Sequence, residues 1–259
     1  MAITPVTPDK SASCTVIYYA QYLASSAEAP EAVVPNTYQR YIGGTTVNET
    51  ITFLLDQART IDYIGIAAHT FGTHDGGLGY TLRYSTNGGS TWTNIGTYTA
   101  PTSNVAIVET FTAIANVDAI SIQFTATTAG LEIGYVQVGE SITMQNPVYG
   151  GVNPFDLNAQ DEYDDSISET GQFLGRTIKR AGFSTSLPWQ HLSPTWIRST
   201  FKPFMDHAKT LPFFVAWRPD LYADAVAFGY SERPLRPVNM GGGSGLMSVD
   251  LNMRVHSDL

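Results

Sequence analysis

Between Thr50 and Glu140 the chain repeats one device. A run of alternating or wholly apolar residues is followed by a break rich in Gly, Asn or Thr, and the runs recur at roughly ten-residue spacing. The runs are "TITFLLD", "RTIDYIGIAAHTF", "GYTLRYS", "AIVETFTAI", "DAISIQFTAT" and "GLEIGYVQVGE". In "GYTLRYSTNGGSTWTNIGTYT", residues 79 to 99, Tyr80, Leu82 and Tyr84 point one way and Thr81, Arg83 and Ser85 the other, the period of a half-buried strand. Asn87-Gly88-Gly89 supplies the positive φ values of a tight turn, and Trp92 and Ile95 begin the returning strand. Few folds accept this pattern, and it predicts a β-sandwich or jelly roll.

Composition narrows the function. The formal charge of −9 and pI near 4.9 exclude a nucleic-acid binder, which needs clustered Lys and Arg. Through Glu140 there are 4 basic and 11 acidic residues; from Ser141 onward there are 10 and 12, so the halves differ chemically. The single cysteine, Cys14, precludes an internal disulfide and reads as a small buried hydrophobe. No apolar segment follows a basic one in "MAITPVTPDKSASC", and no run approaches about 18 apolar residues, so neither a signal peptide nor membrane insertion is expected.

Residues 1–13 read as an N-terminal arm, 14–140 as the sandwich, 141–170 as a linker or extended loop, and 171–259 as an α+β assembly domain. In the last, "SPTWIRSTFKPFMDHAKT" predicts a helix with Ser193 as N-cap, Pro194 at its first position and a kink at Pro203. "LPFFVAWRPDLY", "DAVAFGYSE" and the alternating "GLMSVDLNMRVH" predict strands. The fold class is therefore mainly β: an N-terminal β-sandwich (jelly roll) plus a smaller C-terminal α+β domain with one or two helices and an antiparallel sheet.

Two resemblances add to this. "IDYIGIAAHTF", "GYTLRYSTNGGSTWTNI" and "DAISIQFTATTAGLEIGYVQVGE" together resemble the galactose-binding-like, discoidin-type jelly roll, over roughly residues 45–140. That resemblance implies that Trp92 packs the sandwich core, with stacking on a sugar ring as the alternative. The helix, then Pro212 to Asp220, then a Gly-rich loop and Gly245 to Val255, resembles tail-tip or distal tail structural proteins of long-tailed bacteriophages. It implies a ring oligomer in the tail of a virion, made in the host cytoplasm and touching other phage tail proteins.

Candidate chemistry is sparse. His69, His74 and Asp75 converge on one loop, and with Trp92 they are the candidate ligand-binding residues, for a host surface glycan. Five histidines include no metal-binding motif. The acidic "DLNAQDEYDD" fails as an EF-hand loop because Asp161 replaces the turn glycine and Ile167 the final glutamate. A looser calcium site from Asp161, Glu162, Asp164 and Asp165 stands against a solvated acidic loop. Glu109, Asp118 and Glu132 show no pairing that would make a glycosidase, and "GGGSG" at 241–245 lacks the lysine of a phosphate loop. No cofactor and no enzymatic activity are expected. Trp189, Trp196, Trp217, Arg176, Lys179 and Arg180 are the candidate assembly contacts. The leading expectation is a virion structural subunit acting by assembly; the alternative is a lectin-like carbohydrate-binding protein.

Overall fold

The computed structural model describes residues 14–256 apart from 20–22, 45–47, 75–77, 127, 154, 156–161, 181, 224 and 242–244. The predicted arm, residues 1–13, lies outside the described residues.

The protein is mainly β. Two long strands organise its sandwich: β4 (Thr50–His69) and β7 (Ile107–Phe124). They pair antiparallel along almost their whole length, with register slips between Leu54 and Tyr63. Each slip inserts residues into one strand and bends it. Polar 56–60 and Asn116, at φ 58°, therefore form a corner, where the Arg59 guanidinium meets Asp56 at 3.1 Å. Beyond the corner the same two strands continue as the second layer.

Four further strands lie along the sheet with them: β3 (Tyr41–Ile42), β5 (Gly79–Ser85), β6 (Thr93–Thr99) and β8 (Glu132–Gly139). The order is β3-β8-β4-β7-β5-β6, with β2 (Leu23–Ser25) beside β4. Ile51, Phe53, Ile61, Ile64, Ile66, Leu82, Ile120, Ile122 and Phe124 are buried between the layers. The predicted pairs of short runs, 50–56 with 59–71 and 106–114 with 118–127, are thus single bent strands.

The second sheet gathers strands from distant parts of the chain. It runs β12 (Phe183–Leu192), β16 (Met247–Val255), β14 (Val226–Ser231), β13 (Phe213–Ala216), β1 (Val16–Tyr19) and β9 (Ile142–Thr143), with β15 (Val238–Asn239) beside β16. Two segments therefore lie elsewhere than sequence boundaries suggest. Residues 16–19, at the start of the 14–140 segment, pair with β13, and 142–143, in the 141–170 segment, pair with β1.

One face of this sheet is covered by a helix, α1, over 194–207. Ile197, Phe201 and Phe204 point from it into a core with Trp189, Leu187, Phe213, Leu251 and Met253. The predicted kink takes the form of a wide π-type turn at Ile197–Phe201 just before Pro203, which lacks the N–H an α-turn would use.

The other face packs on the sandwich. Tyr18, Phe214, Ala216, Val226 and Phe228 meet Tyr63, Ala67 and Tyr135 in a third buried cluster. Gly65 makes this seam close: a Cβ there would lie 2.9 Å from Cε2 of Phe214. Buried Gln137 donates its Nε2 to the Tyr18 carbonyl at 3.0 Å, and Asp62 accepts from the amide and hydroxyl of Ser141, both at 2.8 Å.

Candidate functional site

The predicted ligand residues do not come together. His69 ends β4 and is fully buried, with Phe71 donating its amide to Nδ1 at 3.2 Å. That bond places the proton on Nε2, which donates to the Val105 carbonyl at 2.8 Å. Both ring nitrogens are occupied, so the residue pins the 99–106 loop. His74 is half-buried, with Nε2 3.1 Å from the Ala129 carbonyl oxygen, and Asp75 lies outside the described residues.

Trp92 sits at the opposite end of the sandwich. Strand β5 carries the chain from Gly79, at the histidine end, to Ser85 at the turn, a separation of roughly 20 Å. The turn is held by its own side chains: Ser85 Oγ accepts from the amides of Asn87 and Gly89, and Asp118 accepts from that of Gly88 at 2.8 Å. Against the expectation of a core place, the indole is half-buried on the surface, with the Arg83 guanidinium 5.6 Å from its centroid. Small Gly89 and the arginine stem leave the ring a surface seat.

The assembly candidates are equally dispersed. Trp189 is fully buried under α1 and can contact no partner, because β12 turns that side of its alternation into the core. Half-buried Trp196 stacks on Phe201 at 5.5 Å, and half-buried Trp217 lies parallel to exposed Tyr222 at 5.9 Å. Arg176 is exposed on a two-stranded ribbon, β10 (Glu162–Ile167) with β11 (Phe173–Arg180). There it grips Asp165, at 2.5 and 2.9 Å, and covers the Tyr163 ring at 4.5 Å. The strand carries Lys179 and Arg180 in its backbone, but their side chains are outside what the structure describes. Among the described residues no three metal-ligating side chains gather, and Asp161 of the looser calcium reading is not described.

Among the described residues, a concave feature lies where the sandwich edge meets the second sheet. A cleft of about 230 Å³ is lined by Thr99, Pro101, Ser103 and Val105–Glu109 from the sandwich and by Ala223 and Val226 from the other side. Glu109 belongs to β7 and turns toward the layer of β5 and β6, where the Tyr80 hydroxyl donates to Oε1 at 2.7 Å. Tyr80 stacks on Tyr98, with centroids 5.7 Å apart and planes at 20°. Oε2 makes no hydrogen bond to a described residue. In the sequence Glu109 is one acid among several; only the sandwich closure that brings β7 opposite β5 gives it a tyrosine.

Burial lifts the Glu109 carboxyl above its ordinary value of 4.5, and the Tyr80 hydrogen bond offsets part of the lift. Folding therefore favours the protonated form. Its contribution to stability is fully present below pH 4.5 and is lost as pH rises through the folded pKa. Glu109→Gln, which keeps an acceptor for Tyr80, should flatten the fall in stability over the pH range just above 4.5, as measured by urea unfolding at stepped pH.

No protein-family model and no curated protein matches the sequence. Solved structures are distantly similar over about half the chain. A pectin-binding carbohydrate-binding module shares 16% identity at TM-score 0.39, covering 46% of this chain and 91% of its own. A family 32 carbohydrate-binding module from Clostridium perfringens NanJ, solved with galactose, shares 17% at TM-score 0.36, covering 49% and 99%. An F5/8 type C domain from Bacteroides fragilis shares 12% at TM-score 0.38, covering 48% and 96%. Each of these likenesses spans about half of this chain.

Proposed function

We propose that the chain is a non-catalytic recognition subunit, whose jelly roll takes a hydroxyl-rich ligand such as a glycan and whose second sheet mounts it on a larger assembly. The junction cleft is the observation that carries this reading. It offers a carboxylate with one oxygen not engaged by any described residue, two hydroxyl-bearing residues in Thr99 and Ser103, and an apolar wall from Val105, Ile107, Ala223 and Val226. A pyranose has the matching chemistry, with hydroxyl donors on its rim and C–H groups on its faces. Carboxylates accept such donors strongly in partly dry surroundings. Glu109 is the one carboxylate among the described lining residues, whereas glycoside hydrolysis uses two, so the site suits holding rather than cleaving.

Screening the intact protein on a glycan array, then titrating the hits by calorimetry, tests this. We expect Glu109→Ala to weaken binding at least tenfold and Trp92→Ala to leave it unchanged. Binding lost with Trp92→Ala but kept with Glu109→Ala would move the site to the hairpin and overturn the reading.

The exposed ribbon favours a second reading, a purely structural subunit of a multi-copy particle such as the tail tip of a long-tailed phage. On that reading no glycan binds, while the mass in solution still grows with concentration.

A further inference from the structure

Ala223 reaches the junction cleft from the turn that follows β13, and the residue before it is exposed Tyr222. The turn is tied by its own backbone. The Leu221 and Tyr222 amides both donate to the Arg218 carbonyl, at 3.0 and 2.8 Å, and the Ala225 amide donates to the Tyr222 carbonyl at 3.1 Å. Tyr222 therefore has little backbone freedom left to lose when something binds it.

Its ring is held as well. Trp217, which packs on the core beneath α1, lies parallel to it, with planes 2° apart and centroids 5.9 Å apart. That is an offset stack, an arrangement aromatic pairs prefer. Tyr222 nonetheless keeps 52% of its surface exposed, and Leu221 beside it 58%. An apolar side chain standing singly on a surface needs no explanation. A ring whose backbone and plane are both fixed, one residue from the lining of a cleft, asks for one.

The size of the cleft gives the ring its use. At about 230 Å³ the cleft falls short of the roughly 300–1,000 Å³ that enclose a drug-sized ligand, so it has room for about one pyranose. A longer chain of sugars has to leave across the lip. On the second-sheet side Ala223 lines the cleft, with Tyr222 next to it along the chain. The C–H face of a pyranose suits the electron-rich face of an aromatic ring, and stacking the two removes apolar area from water.

We infer that the site takes an oligosaccharide, with one ring seated in the cleft beside Glu109 and the next stacked on Tyr222. The inference rests on the glycan reading of the cleft. It goes beyond that reading by fixing the length of the ligand and its course, from the sandwich outward over the turn between β13 and β14.

Calorimetry on the intact protein tests it, with glucose, galactose, mannose and N-acetylglucosamine each supplied as the monosaccharide and as its linear tetrasaccharide. For a sugar that binds, we expect the tetrasaccharide to bind roughly tenfold tighter than the monosaccharide, and Tyr222→Ala to remove that advantage. Tyr222→Phe, which keeps the ring and loses the hydroxyl, should preserve it. Equal affinities for the two lengths in the unmutated protein, or an advantage that survives Tyr222→Ala, would overturn this inference while leaving the cleft as a site for one sugar. Failure of every sugar in the panel and on the array to bind would overturn the reading of the cleft itself, and this inference with it.

Discussion

Replacing Trp189 with alanine is expected to cost about 3–5 kcal/mol, the range for deleting a large aromatic ring from a close-packed core. The side chain is fully buried among Leu187, Phe201, Phe213 and Leu251, where α1 lies across the second sheet. Its removal leaves a void that strands pinned by their ladders cannot collapse to fill. Trp189→Phe gives the contrast. The indole Nε1 is buried without a hydrogen-bond partner among the described residues. Phenylalanine keeps most of the ring while removing an unsatisfied donor, so it should cost only about 1–2 kcal/mol. Urea unfolding of the intact chain measures both. Equal losses for the two would mean that Nε1 is satisfied by ordered water.

Phe214→Ala should cost a similar amount, about 3–5 kcal/mol, with a different signature. Phe214 is buried in the seam, 4.7 Å from the ring of Phe228 and against Gly65. It belongs to the interface between two sheets, each with its own core on the far side. Loosening that interface should separate the opening of the two halves. Hydrogen exchange should then show β13 and β14 losing protection while β4 and β7 retain theirs, whereas Trp189→Ala lowers protection within the second sheet without touching the seam. Uniform loss across both sheets in Phe214→Ala would show that the halves unfold only as one unit.

Local signals were legible in the sequence and distant ones were not. The 79–99 hairpin announces itself because its turn chemistry, alternation and returning strand lie within about twenty residues. The helix at 194–207 is equally local, and its Ser193-Pro194 start survives in the structure. Strands β4 and β7 read as four runs because polar 56–60 looks like a break, when it is a corner that the strands turn together. The placement of β1 beside β13 leaves no mark in either segment, since a short apolar strand suits any sheet. The ribbon was hidden in the same way: "DEYDDSI" reads as an acidic loop until "RTIKR" lies across from it. Glu109 illustrates the limit for the site. Its environment is made by Tyr80, Tyr98 and the far side of the cleft, and spacing along one strand carries no word of them.

The pairing of β1 with β13 also sets a timetable for a ribosome. Val16–Tyr19 emerges about 200 residues before the strand it must lie against. At roughly 5–20 residues per second, that is a wait of about 10–40 s. The sandwich can close in that interval, but the Tyr63 and Tyr135 surface stays bare until β13 and β14 arrive. The nascent chain therefore carries an open strand and a sticky aromatic face until β13 and β14 emerge, and its yield in a cell should depend on chaperones that shield both.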